Sequence, residues 1–170
     1  MIDLQTISIM LASASVTIAA LYYAFTLRYT RMNMKTSLET RQAQLFMRIY
    51  ERFYDPEFSR QQNWVMFVWE WTDFDDAWKK YGPETNMEAA SAFISVARYY
   101  EGIGVLVKRK LIDVNLVEEL MSEYVIRSWD KMGPFFKEAR ERFKWPHLFQ
   151  EFENISNTLE KTRQPSSTSG

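Results

Sequence analysis

An all-α fold, with one N-terminal transmembrane helix followed by a cytoplasmic helix bundle, is what this sequence predicts. Ile7 to Leu27 contains no charge, and neither Pro nor Gly occurs between Met1 and Asp55. Beyond Leu38 the apolar residues recur at helical spacing, and the alternation expected of strands is almost absent. Three regions follow: 1–27, a short extracytoplasmic N-terminus and the transmembrane helix; 28–162, a cytoplasmic all-helical domain; and 163–170, a polar disordered tail.

The uncharged stretch of 21 residues, at 1.5 Å per residue, reaches about 32 Å, the thickness of a hydrocarbon core. Eight of its residues are Leu, Ile, Val or Phe, and five are Ser or Thr, whose hydroxyls can bond to carbonyls of their own helix and so need not block insertion. Tyr22, Tyr23 and Tyr29 fall where an interfacial aromatic belt would lie. A buried core helix and a cleaved leader are the competing readings. Ala12-Ser13-Ala14 resembles a cleavage site, but no Lys or Arg precedes it and Asp3 does. Arg28, Arg31, Lys35 and Arg41 follow the span against the single acid Glu39. The excess of positive charge predicts a plasma-membrane protein with its N-terminus outside and its C-terminal domain in the cytoplasm. Ser8, Ala12, Ser15 and Ala19 form a small-residue stripe at which a second copy could approach closely.

The remainder divides at its breakers. Leu38, Leu45, Phe46, Ile49, Tyr50 and Phe53 make one apolar face, and Thr36 with Glu39 has the pattern of a capping box, where a hinge could fall. Asp55-Pro56 starts the next helix, which carries Trp64 to Trp71, either the centre of the bundle or a docking surface. A short helix ends at Tyr81-Gly82-Pro83; Asn86 and Asp113 cap two more. Gly133-Pro134 is expected to stop the second of these, leaving two final helices, Phe135 to Phe143 and Pro146 to Glu160.

Chemistry is sparse. Cysteine is absent, which removes disulfides, thiolate ligands and thiol nucleophiles. The one histidine, His147, has no ligand set around it, and neither phosphate-binding nor nucleophile-elbow motifs occur. Asp73, Asp75 and Asp76 lack the Gly and Glu of a calcium loop and read as turn and cap residues. No cofactor or metal is expected. A net charge of −1 gives no field for nucleic acid. Gly102 and Gly104 would each cost about 1 kcal/mol in a helix unless a neighbouring helix comes close. Glu101, on or near the apolar face, is expected to pair with Arg98 or Arg127, or else to contact a ligand.

Tyr100 to Lys108, Leu111-Ile112-Asp113 and Tyr124 to Trp129 resemble an uncharacterised prokaryotic domain-of-unknown-function family of small, single-pass, membrane-anchored helical proteins. The likeness spans Glu39 to Glu160 in arrangement and is closest over Arg98 to Trp129. It implies an anchored helical fold, no established activity, and no catalytic residue to carry over. The expected role is a non-enzymatic interaction or scaffold module, with membrane lipid and an unidentified protein as partners and Trp64, Trp69 and Trp71 as the contact surface. Two other readings stand beside it. One is a ligand sensor or enzyme with a pocket near Glu101 and Arg127; the other is a membrane-perturbing effector assembled as a homo-oligomer through its span.

Overall fold

The computed structural model describes residues 3–163, which form six helices and no strand. They are α1 (Leu4–Phe53), α2 (Pro56–Phe67), α3 (Phe74–Tyr81), α4 (Met87–Lys108), α5 (Val114–Arg142) and α6 (Gln150–Arg163). The predicted disordered tail lies outside the described residues, apart from Arg163, the last residue of α6.

Two compact units divide the chain at Arg41 and Gln42. In the first, α1 is exposed at every described residue up to Arg41. It is long and apolar enough to cross a membrane, and none of its apolar stretch is buried in protein, unlike that of a soluble core helix. Its hydroxyls turn back onto the helix: Ser15 Oγ donates to the Leu11 carbonyl (2.8 Å), Thr17 Oγ1 to Ser13 (2.9 Å) and Thr26 Oγ1 to Tyr22 (2.8 Å). Thr36 caps nothing. It sits inside α1, where its carbonyl accepts from Thr40 Oγ1 at 2.9 Å, so the anticipated helix start there is absent.

In the second unit, the helix starts follow local chemistry. Asp55 accepts from the Phe58 N–H (3.0 Å) with Pro56 behind it, Asp73 from Asp76 (2.8 Å), Asn86 from Ala89 (3.0 Å) and Asp113 from Asn115 (3.0 Å). Each satisfies a donor that the first turn of a helix leaves free. The helix ends are less conventional. Lys110 and Lys144 take the left-handed conformation (φ 57° and 52°). Around them Leu111 N–H reaches the Leu106 carbonyl (2.9 Å) and Trp145 N–H the Arg140 carbonyl (3.0 Å). These are the bonds of a Schellman stop, built here on lysine where glycine is usual.

Gly133-Pro134 does not end α5, which runs on to Arg142 with Pro134 inside it. Pro134 is exposed, as is Asp130, whose carbonyl loses its helical partner. The turns beyond bury Phe135, Phe136 and Ala139. Two buried phenylalanines contribute about 1.5–3 kcal/mol each, enough to offset the roughly 3 kcal/mol that an interior proline costs. The final helix starts not at Pro146 but at Gln150, three residues after His147, whose Nδ1 lies 2.7 Å from Gln150 Oε1.

The core is strongly aromatic. Trp69 stacks on Phe93 (5.2 Å between centroids) and meets Phe135 edge-on (5.7 Å), while Phe135 stacks on Phe74 (4.8 Å). Tyr100, fully buried, accepts from Gln62 Nε2 of α2 at 2.7 Å and stacks on Phe152 of α6 (5.0 Å). Tyr99 donates to the Ile49 carbonyl (2.9 Å), joining α4 to the last turns of α1. Helix α4 therefore lies at the centre, against α6 and α2.

The two glycines of α4 part company. A Cβ at Gly104 would stand 2.2 Å from the backbone oxygen of Glu151 in α6, whereas a Cβ at Gly102 meets nothing within 4 Å. Only Gly104 has the close approach that offsets its helix cost. Gly102→Ala should raise stability by up to about 1 kcal/mol, and Gly104→Ala should lower it by about 1–3 kcal/mol by forcing α6 away. Urea unfolding of the two variants, followed by far-UV circular dichroism, checks this opposite sign.

Candidate functional site

The α4–α6 contact is also where Glu101 is used. Its Oε2 accepts the Phe152 N–H at 2.7 Å, one of the free donors in the first turn of α6. A carboxylate from one helix thus caps another, at the end where the helix dipole favours negative charge. Arg140 of α5 completes the mooring. Its guanidinium donates to the carbonyls of Leu148 (2.8 Å) and Phe149 (3.2 Å), just before α6, and to Glu153 within it (2.5 Å). Glu101 is not paired with Arg98 or Arg127 as expected. Arg98 is exposed, and Arg127 bonds to Glu123 on its own helix. Sequence spacing suggested those arginines as neighbours; it could not show that a helix start some fifty residues away would arrive first.

Burial raises the Glu101 carboxyl above its ordinary value of 4.5, helped by the nearby Glu151 carboxylate, against the backbone donors of Phe152 and Glu151 and the charge of Arg140.

The Trp64 to Trp71 segment is mostly core. Helix α2 ends at Phe67, and Trp69 is fully buried, its indole Nε1 without a partner among the described residues. It therefore cannot serve as a contact surface. Trp64 is half-buried, edge-on to Tyr81 (5.5 Å), and Trp71 is half-buried against Trp69 and Phe135. What the segment does present is Phe67, 75% exposed, and Val68, 57% exposed, where α2 stops.

An apolar cleft of about 500 Å³ opens elsewhere, between α3, α4, α5 and the α5–α6 connection. Phe93, Ile94, Phe136 and Leu148 are among its walls, and the exposed rings of Phe143 and Trp145 stand at its mouth. Sequence reading missed it, because Trp145 and Phe143 lie beyond a helix stop that no glycine marks. The clue was the alternation Arg142-Phe143-Lys144-Trp145, aromatics between cations where a solvated turn would be polar. Glu101 and Arg127 line neither this cleft nor a more polar one of about 780 Å³ beside Trp64 and Tyr81.

Ser8, Ala12, Ser15 and Ala19 are all exposed on α1. Asp75 binds Arg142, whose guanidinium also lies over the Phe74 ring (4.6 Å). Among the described residues no group of His, Asp and Glu is arranged to hold a metal ion.

The model of a domain-of-unknown-function family, DUF4760, matches residues 9–159. The chain belongs to this family. No curated protein and no solved structure matches it. Because the DUF4760 match begins at Ile9, nearly all of the uncharged stretch belongs to the family pattern together with the bundle. The likeness seen between Glu39 and Glu160 is thus the larger part of a match that starts earlier in the chain.

The Glu101 cap has a pH signature. A carboxyl whose folded pKa is raised adds stability below its unfolded value, and that gain is lost as pH rises through the folded value. Glu101→Gln keeps an acceptor for Phe152 and should remove this decline above the ordinary carboxylate range. Glu101→Ala leaves the Phe152 N–H unpaired and should cost about 1–2 kcal/mol at acid pH, and less as pH rises through the folded value. Urea midpoints measured from acid to neutral pH separate the two; a wild-type slope retained in Glu101→Gln would refute the assignment.

Proposed function

We propose that this DUF4760 member is a single-pass plasma-membrane protein that presents its helical domain to the cytoplasm as a non-enzymatic interaction module. The observation that carries the reading is α1: a helix apolar enough to span a bilayer, with its apolar residues unburied and its hydroxyls internally bonded. In water such a surface would be a severe liability; in lipid it is at home. Four cations against one acid after Leu27 favour the cytoplasmic side for everything that follows. The family match speaks against a cleaved leader, since it includes the residues on both sides of Ala12-Ser13-Ala14. A contact role for the domain is supported by Phe67 and Val68, apolar side chains exposed together at a helix end.

Because the chain has no cysteine, topology can be read with single introduced thiols. With a membrane-impermeant maleimide on intact cells, Asp3→Cys should be labelled directly and Thr158→Cys only after permeabilisation. Recovery of the uncleaved chain in the soluble fraction, or the reverse labelling pattern, would overturn the topology. A photo-crosslinking residue in place of Phe67 should give a discrete adduct in native membranes, and the same residue at exposed Lys161 should not. Recovery of only uncrosslinked protein from the Phe67 variant would count against an interaction module.

A further inference from the structure

The apolar cleft has a distinct charge pattern. Along α4 its wall includes Met87, Ser91, Ile94, Ser95 and Arg98, a stripe of three turns and about 16 Å. Arg98 is the one charged residue in the lining. It is exposed and forms no ion pair with any described residue. Opposite α4, Phe135, Phe136, Ala139 and Phe143 of α5 and its cap close the channel with carbon. Its volume of about 500 Å³ is within the range of small-molecule sites.

We propose that this cleft binds an unesterified long-chain fatty acid, with its carboxylate on the Arg98 guanidinium and its acyl chain running along α4 toward Met87. The complementarity is specific to that chemistry. A guanidinium holds a carboxylate through two parallel N–H···O bonds, and Ser95, one turn back on α4, lines the same end of the cleft. The rest of the lining has no second charge, and a single chain needs none. A diacyl phospholipid would bring a second chain to a channel whose charge pattern serves one. An amphipathic helix would need partners for its polar flanks, and the lining offers few. The proposal is independent of the partner contact at Phe67, so either can fail alone.

Trp78 and Trp145 line the cleft and serve as reporters. The full-length protein in phosphatidylcholine nanodiscs is titrated with dibromostearate, whose bromines quench indole fluorescence on contact. Saturable quenching is expected, weakened about tenfold for the methyl ester and for Arg98→Gln, as loss of one charge-assisted pair implies. Arg98→Lys should recover part of the loss, and Ser91→Phe, which fills the apolar end, should abolish saturation. Far-UV circular dichroism confirms that each variant is folded. Equal quenching by acid and ester, an unchanged Arg98→Gln, or no saturation at all would overturn the proposal. So would equivalent quenching by dibrominated phosphatidylcholine built into the disc, which would identify bilayer lipid as the occupant.

Discussion

The bundle hangs on the distance between two backbones. At Gly104 the axis of α4 comes so near α6 that the Glu151 carbonyl occupies the space a side chain would need. With the helices that close, a carboxylate one turn earlier on α4 can reach the first turn of α6, and Glu101 does so. A lysine one turn later, Lys108, meets the Glu151 side chain at 2.5 Å. Positions 101, 104 and 108 share a face of α4, and all three address the beginning of α6. Phe152 is thereby carried between Tyr100 and Trp129, each 5.0 Å from it, where its burial stabilises both α4 and α5.

Around that contact the molecule spends aromatic surface freely to offset local irregularities. Pro134 breaks a hydrogen bond in α5, and the two phenylalanines after it are buried in the Trp69 cluster. Lys110, Lys144 and Phe149 hold left-handed backbones that L-residues adopt at a cost of about 1–2 kcal/mol each. At Phe149 the side chain is buried against Phe136 (4.5 Å), and Arg140 holds the carbonyl, so packing and a charged donor together oppose the strain. Local rules are overridden where tertiary contacts are dense.

Much of this was legible. The four side-chain caps were readable because an N-cap is a property of a few consecutive residues. The apolar stretch and its hydroxyls were legible for the same reason. Gly104 was half-legible: the cost of a helical glycine signals that something must come near, without saying what, and Gly102 carried the same signal with nothing behind it. The end of α5 was misplaced because Gly-Pro is the conventional stop and Lys144 is not, so the true stop had no residue to announce it. Glu101 was correctly singled out as a carboxylate needing a partner, but its partner is a backbone amide, which every residue has and no sequence distinguishes. The cleft showed only through the exposed aromatics Phe143 and Trp145, because its walls come from four separate segments.

The Schellman end of α5 has a consequence for the cleft it borders. Trp145 is not a side chain on a free loop: its own amide is tied to the Arg140 carbonyl, and Pro146 follows it. The backbone that carries this doorpost is therefore part of the helix frame, and shifting it would mean unwinding the last turn of α5, while the exposed ring itself keeps its rotamer freedom.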